Sequence, residues 1–524
     1  MYLTKTLSET KYRFNIFNSA QRFRRNQVVA AIVRIALTMT AGAILALLLI
    51  GASPAHAQTG TVLYNFTGTP DGANPTSQLT FNNGNLYGTT YSGGLYGMGS
   101  VFELSSNGNG GWNETLLYSF CPAAPSCTDG QNPTYSYVTF DKSGNLYGTV
   151  YGGGSLGDGA VFELSPSLGG WTEKVLYSFA DTPDGANPVN GVITDAAGNI
   201  YGTTYSGGTT GNGAVYELSP ASGGGWTEQV IYDINSTYAG LSMDSAGNIY
   251  GPAYGSIFEL SPNGTGGWNP TVIFTFTSGD GATQGSDPNG TLALDSSGNL
   301  YGTTYLGGSE GDGALFKLTR GSKGKWSEKL LISFGKPNLK PFGGIIFDKA
   351  GDIFGTTTEG GVDAEGDVYE LVAPPAGKTG YTGKVVYHFN GTTGNEPFGS
   401  LAMDSAGYLY GTTYLGGSSG YGVVFEVNPH AAVTTNTLTS STNPSVVGQS
   451  VTFTATVTSS VGPPPDGEVV VFEPIGQSTL SGGVATFTTS ILKVGTTNVR
   501  AVYGGDLNFI GSDSNTVPQV VDKK

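Results

Sequence analysis

Thr61-Val62-Leu63-Tyr64-Asn65-Phe66 stands near the start of the chain and matches two later stretches, Leu116-Leu117-Tyr118-Ser119-Phe120 and Val175-Leu176-Tyr177-Ser178-Phe179, yet no repeat precedes it. The other end of the repeat array shows the complementary gap. After Val423 to Val427 comes Asn428-Pro429-His430, and no Trp-x-Glu-x-Val-Leu-Tyr-x-Phe stretch follows. A strand lacking at one end and supplied at the other reads as a closed ring, because the exchange leaves no sheet edge unpaired at the junction. An open β-solenoid, the main alternative, has no need of the match.

Between these ends Gly-Asn-Leu-Tyr-Gly-Thr-Thr recurs with small changes, its Asn or equivalent falling at Asn85, Asn145, Asn199, Asn248, Asn299, Asp352 and Tyr408. The spacings of 60, 54, 49, 51, 53 and 56 residues each suit one four-stranded blade. The third copy shows four strand signals at 189–194, 200–205, 214–218 and 227–234, separated by turns rich in Gly, Ser, Asp and Pro. The strands mix Leu, Ile, Val, Phe and Tyr with small residues on both faces, as expected of sheets packed between two neighbours. With 84 Gly, 26 Pro and only 12% charged residues, the 524-residue chain reads as an all-β protein of more than one domain. The expected fold is a seven-bladed β-propeller closed by an N-terminal strand, spanning 58–430.

Three phrases carry a resemblance: Gly-Asn-Leu-Tyr-Gly-Thr-Thr-Tyr-x-Gly-Gly, Gly-x-Val-Phe-Glu-Leu-Ser-Pro, and Gly-Gly-Trp-x-Glu-x-Val-Leu-Tyr-x-Phe. Together, from about Thr61 to about Asn428, they resemble the bacterial choice-of-anchor tandem repeat family called GloVer. That resemblance implies an exported or surface protein and no established catalytic activity. The Asp-x-x-Gly-Asn-Leu-Tyr-Gly-Thr core is also similar to propeller repeats of bacterial sensor proteins. From 434 to 524 the character changes to alternating short strands that fit one Ig-like β-sandwich. Tyr503-Gly504-Gly505-Asp506 resembles the late-strand motif of bacterial Ig-like spacer domains. No apolar span or sorting motif follows before Asp522-Lys523-Lys524, a departure from anchored members of the family.

Residues 1–57 read as a signal peptide: Arg22, Arg24, Arg25 and Arg34 precede the apolar run Ile35 to Ile50, and Ala55-His56-Ala57 offers a small-x-small cleavage site before Gln58. The competing reading is an N-terminal membrane anchor, since the run approaches the roughly 20 residues of a bilayer span. Cleavage would remove seven basic residues and one acidic one, taking the formal charge from −16 to −22. Such a surface disfavours nucleic acid and anionic lipid as partners. After cleavage no membrane span is expected, and the protein is expected to be secreted or held at the cell surface. In that oxidising setting Cys121 and Cys127, six residues apart in one loop, are expected to form a disulfide.

Chemistry is harder to find. Only His388 and His430 remain beyond the signal segment, so a His-based triad or metal centre is not expected. His388 takes the Ser position of Tyr-x-Phe and reads as a polar residue at a blade edge. Asp141, Asp195, Asp244, Asp295, Asp348 and Asp404 each precede x-x-Gly and read as turn formers. The repeated strand acids, such as Glu103 and Glu163, serve the blades. If strands run outward from the axis, the loops after each second and outermost strand share one face. That face gathers Asp71, Asn74, Asp129, Asp184 and Asn187 with Tyr91, Tyr151, Tyr205, Tyr254, Tyr305 and Tyr414 as the expected ligand-binding set. Aromatics beside carboxylates suit sugar rings or peptide side chains, although the same residues can merely build turns and fill gaps between blades.

Departures from the repeat say more. The fourth copy lacks both the long Gly-Gly loop and Asp-Gly-x-Asn-Pro, which predicts a notch over that blade. The sixth replaces Tyr by Thr358 and adds Glu359, Asp363, Glu365 and Asp367, a set able to offer oxygens to Ca2+ but without the EF-hand pattern. A solvated acidic loop is the simpler reading, so no cofactor is assigned beyond that one calcium option. The leading functional expectation is a non-enzymatic binding or structural protein contacting an extracellular glycan or protein. The alternative, a secreted carbohydrate-active hydrolase or lyase, needs paired carboxylates near the axis. Leu79, Val138, Val192, Leu241, Leu292, Ile345 and Leu401 occupy the inner strands there, and they are apolar.

Overall fold

The computed structural model describes residues 60–276, 285–335, 339–375, 377–378 and 380–524. The expected signal segment, 1–57, lies outside the described residues. Seven antiparallel sheets form the ring, each with strands in sequence order from inner to outer except the last. In the first blade these are Thr80–Asn82, Asn85–Thr90, Ser100–Ser106 and Trp112–Ser119. The seventh comprises Ala402–Met403, Leu409–Thr413 and Val423–Val427, and its outer strand is Gly60–Asn65 from the other end of the chain. Gly60 lies opposite Val427 and Asn65 opposite Val423.

The imported strand behaves like its homologues. Phe66 stacks edge-on against Phe102 of the first blade at 5.1 Å, as Phe120 does on Phe162 at 5.2 Å and Phe389 on Phe425 at 4.9 Å. Asn65 Oδ1 accepts the Ser418 N–H at 2.8 Å, a bond that Ser119 Oγ supplies to Leu95 in the first blade at 2.9 Å.

The Gly of Leu-Tyr-Gly-Thr-Thr is required by close packing. Its φ is ordinary, but a Cβ on Gly88 would stand 2.7 Å from the Phe102 ring, and one on Gly302 would stand 2.7 Å from both Phe316 and Leu292. The tip of the aromatic ring of each third strand abuts this glycine, next to the apolar residue of the inner strand in the first, fourth, fifth and seventh blades. Those seven apolar residues, Leu79 to Leu401, are at most 4% exposed. Overfilling such a contact forces side chains off their rotamers.

The first Thr of Gly-Thr-Thr bonds across the blade boundary. Thr89 Oγ1 donates to Ser136 O at 2.6 Å, Thr203 to Ala239 O at 3.0 Å and Thr303 to Gly343 O at 2.9 Å. Thr412 completes the circle by donating to Ser77 O at 2.9 Å. The fourth copy has Pro252 at this place and cannot make the bond. That blade also joins its second and third strands by the two-residue turn Tyr254-Gly255, with Ala253 paired to Ser256. The loop layer is therefore missing over it, where the sequence predicts a notch.

The turn-forming aspartates behave as expected. Asp141 Oδ1 accepts the N–H of Ser143 at 2.8 Å and of Asn145 at 2.9 Å. Burial works against ionisation, but these bonds and those from the Asn145 amide and Tyr147 hydroxyl hold the Asp141 carboxyl below its usual range. Cys121 and Cys127 form the expected disulfide.

Residues Ala432 to Asp522 form the Ig-like sandwich, in which Ala432–Ser440, Val451–Ser459 and Val484–Thr489 pair in one layer. Gly495–Gly505 pairs with Val469–Glu473, Phe509–Asp513 and Val517–Asp522. Its core includes Phe453, Phe472, Val499 and Tyr503. The sandwich is tied to the propeller's Asp-x-x-Gly face: Asn508 Oδ1 accepts bonds from the Tyr408 hydroxyl at 2.6 Å and the Asn428 amide at 3.1 Å. Tyr408 is the residue at which the seventh copy departs from Gly-Asn-Leu-Tyr, and this contact explains the change.

Two stability tests follow from this packing. Removing 60–66 is expected to lower the melting temperature far more than removing 434–524; equal midpoints in thermal melts would refute closure by that strand. Gly302→Ala is expected to cost about 1–3 kcal/mol in chemical denaturation. Gly504→Ala, where an added Cβ meets nothing within 4 Å, is expected to cost about 0.5 kcal/mol or less.

Candidate functional site

The candidate face is built from the loops that follow the second and outermost strands, and these loops pair with each other. Ala73 bridges Ser92, Gln131 bridges Gly152 and Asn395 bridges Leu415. In the third blade the pairing becomes continuous strand, with Gly185 opposite Gly207 and Ala186 opposite Ser206. Its inner strand therefore begins at Gly185, four residues before the sequence signal at Val189.

The aspartates of Asp-Gly-x-Asn-Pro turn inward rather than toward the face. Asp71 is 5% exposed and accepts hydrogen bonds from the Tyr64 hydroxyl at 2.7 Å, the Thr67 hydroxyl at 2.8 Å and Gly72 N–H at 2.9 Å. Asp129 accepts from the Tyr118 hydroxyl at 2.8 Å and Cys121 N–H at 2.9 Å. Asp184 accepts from the Tyr177 hydroxyl and Ala180 N–H, each at 3.0 Å. The physical reason is that each carboxylate satisfies the donors of a tight turn beside the outer strand.

The asparagines clamp neighbouring blades. Asn74, Asn132 and Asn187 adopt φ of 58°, 55° and 56°, a left-handed conformation that Asn tolerates well. Their amides donate to the backbone oxygens of Tyr414, Tyr91 and Tyr151 at 3.0, 2.9 and 3.0 Å. Asp287, Lys340 and Glu396 take the same left-handed place before Pro in later blades, with φ of 60°, 37° and 57°. The sector from blade five to blade seven is thus charged where the first three blades are neutral.

The tyrosines separate into two groups. Tyr91 is 36% exposed and Tyr254 67%, whereas Tyr151, Tyr205, Tyr305 and Tyr414 are half-buried around the axis. Tyr205 stacks on Tyr238 at 4.8 Å, Tyr305 meets Phe342 at 6.0 Å and Tyr414 meets Phe398 at 5.7 Å. At the centre Tyr135 touches Tyr238, Phe342 and Phe398 at 5.7, 5.1 and 6.1 Å. These four central rings were missed in the sequence, yet a signal exists. Thr76, Tyr135, Val189, Tyr238, Asn289, Phe342 and Phe398 each stand three residues before the apolar inner-strand residue of their blade. The rings border a cavity of about 20 Å³ on the axis, whose other lining residues include Thr76, Gln78 and Asn190.

The acids considered for calcium do not converge. Glu359 pairs with Lys340 at 2.9 Å, while Asp367 is 1% exposed and lies 2.6 Å from His388 Nδ1. Among the described residues no three acidic, His or Cys side chains gather at one point. The calcium option weighed in the sequence finds no assembled oxygen cage among the described residues: Lys340 pairs with Glu359 and His388 with Asp367. His388 is a polar residue on the outermost strand of its blade, and that blade alone replaces the small residues Ser100 and Ser119 of the first blade with an Asp and His pair.

A family model described as the Gloeobacter/Verrucomicrobia repeat matches residues 48–172, 111–284 and 252–469. A model of the bacterial Ig-like domain (group 3) matches 438–522. No curated protein matches the chain. Among solved structures, the extracellular domain of a putative one component system from B. thetaiotaomicron is similar at 14% identity and a TM-score of 0.47. The match covers 90% of this chain and 58% of that one, so this chain spans less than two thirds of its length. Virginiamycin B lyase from Staphylococcus aureus is similar at 12% identity and a TM-score of 0.44, over 70% of this chain and 97% of that one.

The rim carboxylates have a further consequence. Glu114, Glu173 and Glu228 pack at the blade junctions beside Asp71, Asp129 and Asp184, and each has an Oε1 atom buried without a hydrogen bond. Burial, and then the adjacent aspartate charge, push all three up from 4.5 to about 7. The folded ring holds these protons more tightly than the unfolded chain, so their contribution to stability is full below about pH 4.5 and lost as pH rises through about 7. Denaturation midpoints between those values are expected to fall with rising pH. The Glu114→Gln, Glu173→Gln, Glu228→Gln triple variant should flatten the slope, and an unchanged slope would refute the assignment.

Proposed function

Because this chain belongs to the Gloeobacter/Verrucomicrobia repeat family and its repeats close into a ring, we propose that it is an exported binding protein whose loop face takes an extracellular glycan or protein ligand. The observation that carries this reading is the placement of exposed apolar groups. Leu95, Tyr96, Leu156, Tyr254, Leu306, Val362 and Tyr421 are each between 43% and 80% exposed, and all lie in the second-to-third-strand connections on that face or, for Leu306, at the end of the strand that leads into one. Exposed apolar surface rimmed by polar loops is characteristic of interaction sites. The Ig-like domain docks on the opposite face through Asn508, leaving the loop face open and serving as a spacer.

Export rests on the basic and apolar N-terminal segment read from the sequence. No helix among the described residues is long and apolar enough to cross a membrane. A carbohydrate hydrolase or lyase would require two carboxyls roughly 5–9 Å apart across the reacting bond. The residues around the axial cavity are aromatic, hydroxyl, amide and glycine groups, which favours binding over hydrolysis.

The test is binding of the chain from Gln58 onward to arrays of defined glycans and peptides. Capture is expected to fall at least tenfold when Tyr91, Tyr254 and Tyr421 are all changed to Ala. A ligand whose capture ignores that change but disappears on altering the opposite face would overturn the assignment, as would hydrolysis of an array glycan.

A further inference from the structure

Resting on the loop face as the binding surface, we propose that its axial mouth seats a primary ammonium group on a slender chain, the side chain of a lysine in a peptide partner. The size of the mouth limits the guest. About 20 Å³ holds a group the size of a water molecule, which a terminal ammonium matches. The lining then selects charge. Tyr135, Tyr238, Phe342 and Phe398 crowd the opening, and aromatic faces attract cations, Lys and Arg included.

Glu396, outside the lining itself but close enough for its charge to act on the Tyr135 hydroxyl, supplies the counter-charge. It stands two residues before Phe398, and its backbone N–H is fixed on Glu365 O at 3.1 Å. Its own carbonyl accepts the Tyr414 N–H at 3.0 Å, which ties it to the ring that meets Phe398. Among the described residues its carboxylate accepts no hydrogen bond and joins no ion pair. Burial, then Glu359 and Glu365, hold that carboxyl above its usual range, the condition an incoming cation relieves.

The molecule already contains one example of the arrangement. Lys340 occupies in the sixth blade the left-handed position that Glu396 occupies in the seventh. Its ammonium lies 5.6 Å from the Tyr305 ring centre and 2.9 Å from Glu359 Oε1. One blade further on Glu396 stands in the position of that cation, with Tyr414 and Phe398 as its aromatic neighbours and no ion-pair partner among the described residues. The strongly acidic chain, at a net charge of −16, also steers cationic ligands toward it.

The probe is acetyl-Gly-Lys-Gly-amide, titrated at near-physiological salt into the chain from Gln58 onward while tyrosine ring signals are followed by NMR. Saturable shifts of the mouth tyrosines are expected. Nε-acetylation of the lysine and Glu396→Gln should each weaken binding at least tenfold, Glu396→Asp should retain most of it, and Glu468→Gln in the Ig-like domain should change nothing. Absence of binding, equal binding of the acetylated peptide, indifference to Glu396→Gln in a variant with unchanged melting, or equal competition by a glucosamine dimer would each overturn the proposal. A ligand found on the arrays that depends on Tyr91, Tyr254 and Tyr421 but not on Glu396 would leave the loop face as the binding surface and sink the ammonium seat alone.

Discussion

The architecture depends on hydroxyl-to-carbonyl bonds that cross from one blade to the next near the axis. Thr89, Thr203 and Thr303 each hold the inner strand of the following blade, and Thr412 holds the first. Inner strands are very short, only two residues in several blades, and cannot be secured by ladder bonds alone. A threonine one strand further out supplies the missing restraint while satisfying a carbonyl buried near the axis. The arrangement couples neighbours at every junction except the one after the fourth blade, where Pro252 stands, so the first and seventh blades, far apart in sequence, meet on the same terms as the other bonded pairs.

Much of this was legible in the residues because it repeats. Closure could be read from Thr61 to Phe66, since a strand with the repeat's outer-strand pattern had no blade of its own. The Gly-Thr-Thr phrase announced a blade, but not that its glycine abuts an aromatic ring or that its first threonine crosses the boundary. Those are contacts between segments, and a single copy gives no hint of what lies against it. The face was legible in part. Loop lengths and strand order placed the tyrosines, whereas Asp71 and Asn74 pointed to a ligand only because their partners, Tyr64 and Tyr414, were out of view. The central rings of Tyr135, Tyr238, Phe342 and Phe398 escaped notice because the surrounding motif varies there; counting back from the conserved spacing of Leu79 and its equivalents would have aligned them.

The two faces of the ring carry different tasks from the same connectivity. Short Asp-x-x-Gly turns saturate their own donors, as at Asp141, and give a firm base on which the Ig-like domain rests through Tyr408 and Asn508. Long glycine-rich loops on the other side present Leu95, Leu156 and Val362 to solvent. Burying acids at the outer junctions makes the ring's stability responsive to proton concentration, with Glu114, Glu173 and Glu228 beside carboxylates already committed to turns.

The missing loop over the fourth blade bears on how a guest could be oriented. A ring of seven identical units offers any molecule lying across it seven equivalent poses, a statistical advantage of about RT ln 7, or about 1 kcal/mol, gained at the expense of a defined heading. The hairpin at Tyr254-Gly255 removes that degeneracy, and the charged positions of Asp287, Lys340 and Glu396 mark the sector beside it. The disc acquires a compass bearing, so two groups on one ligand would be read in a fixed order around the rim.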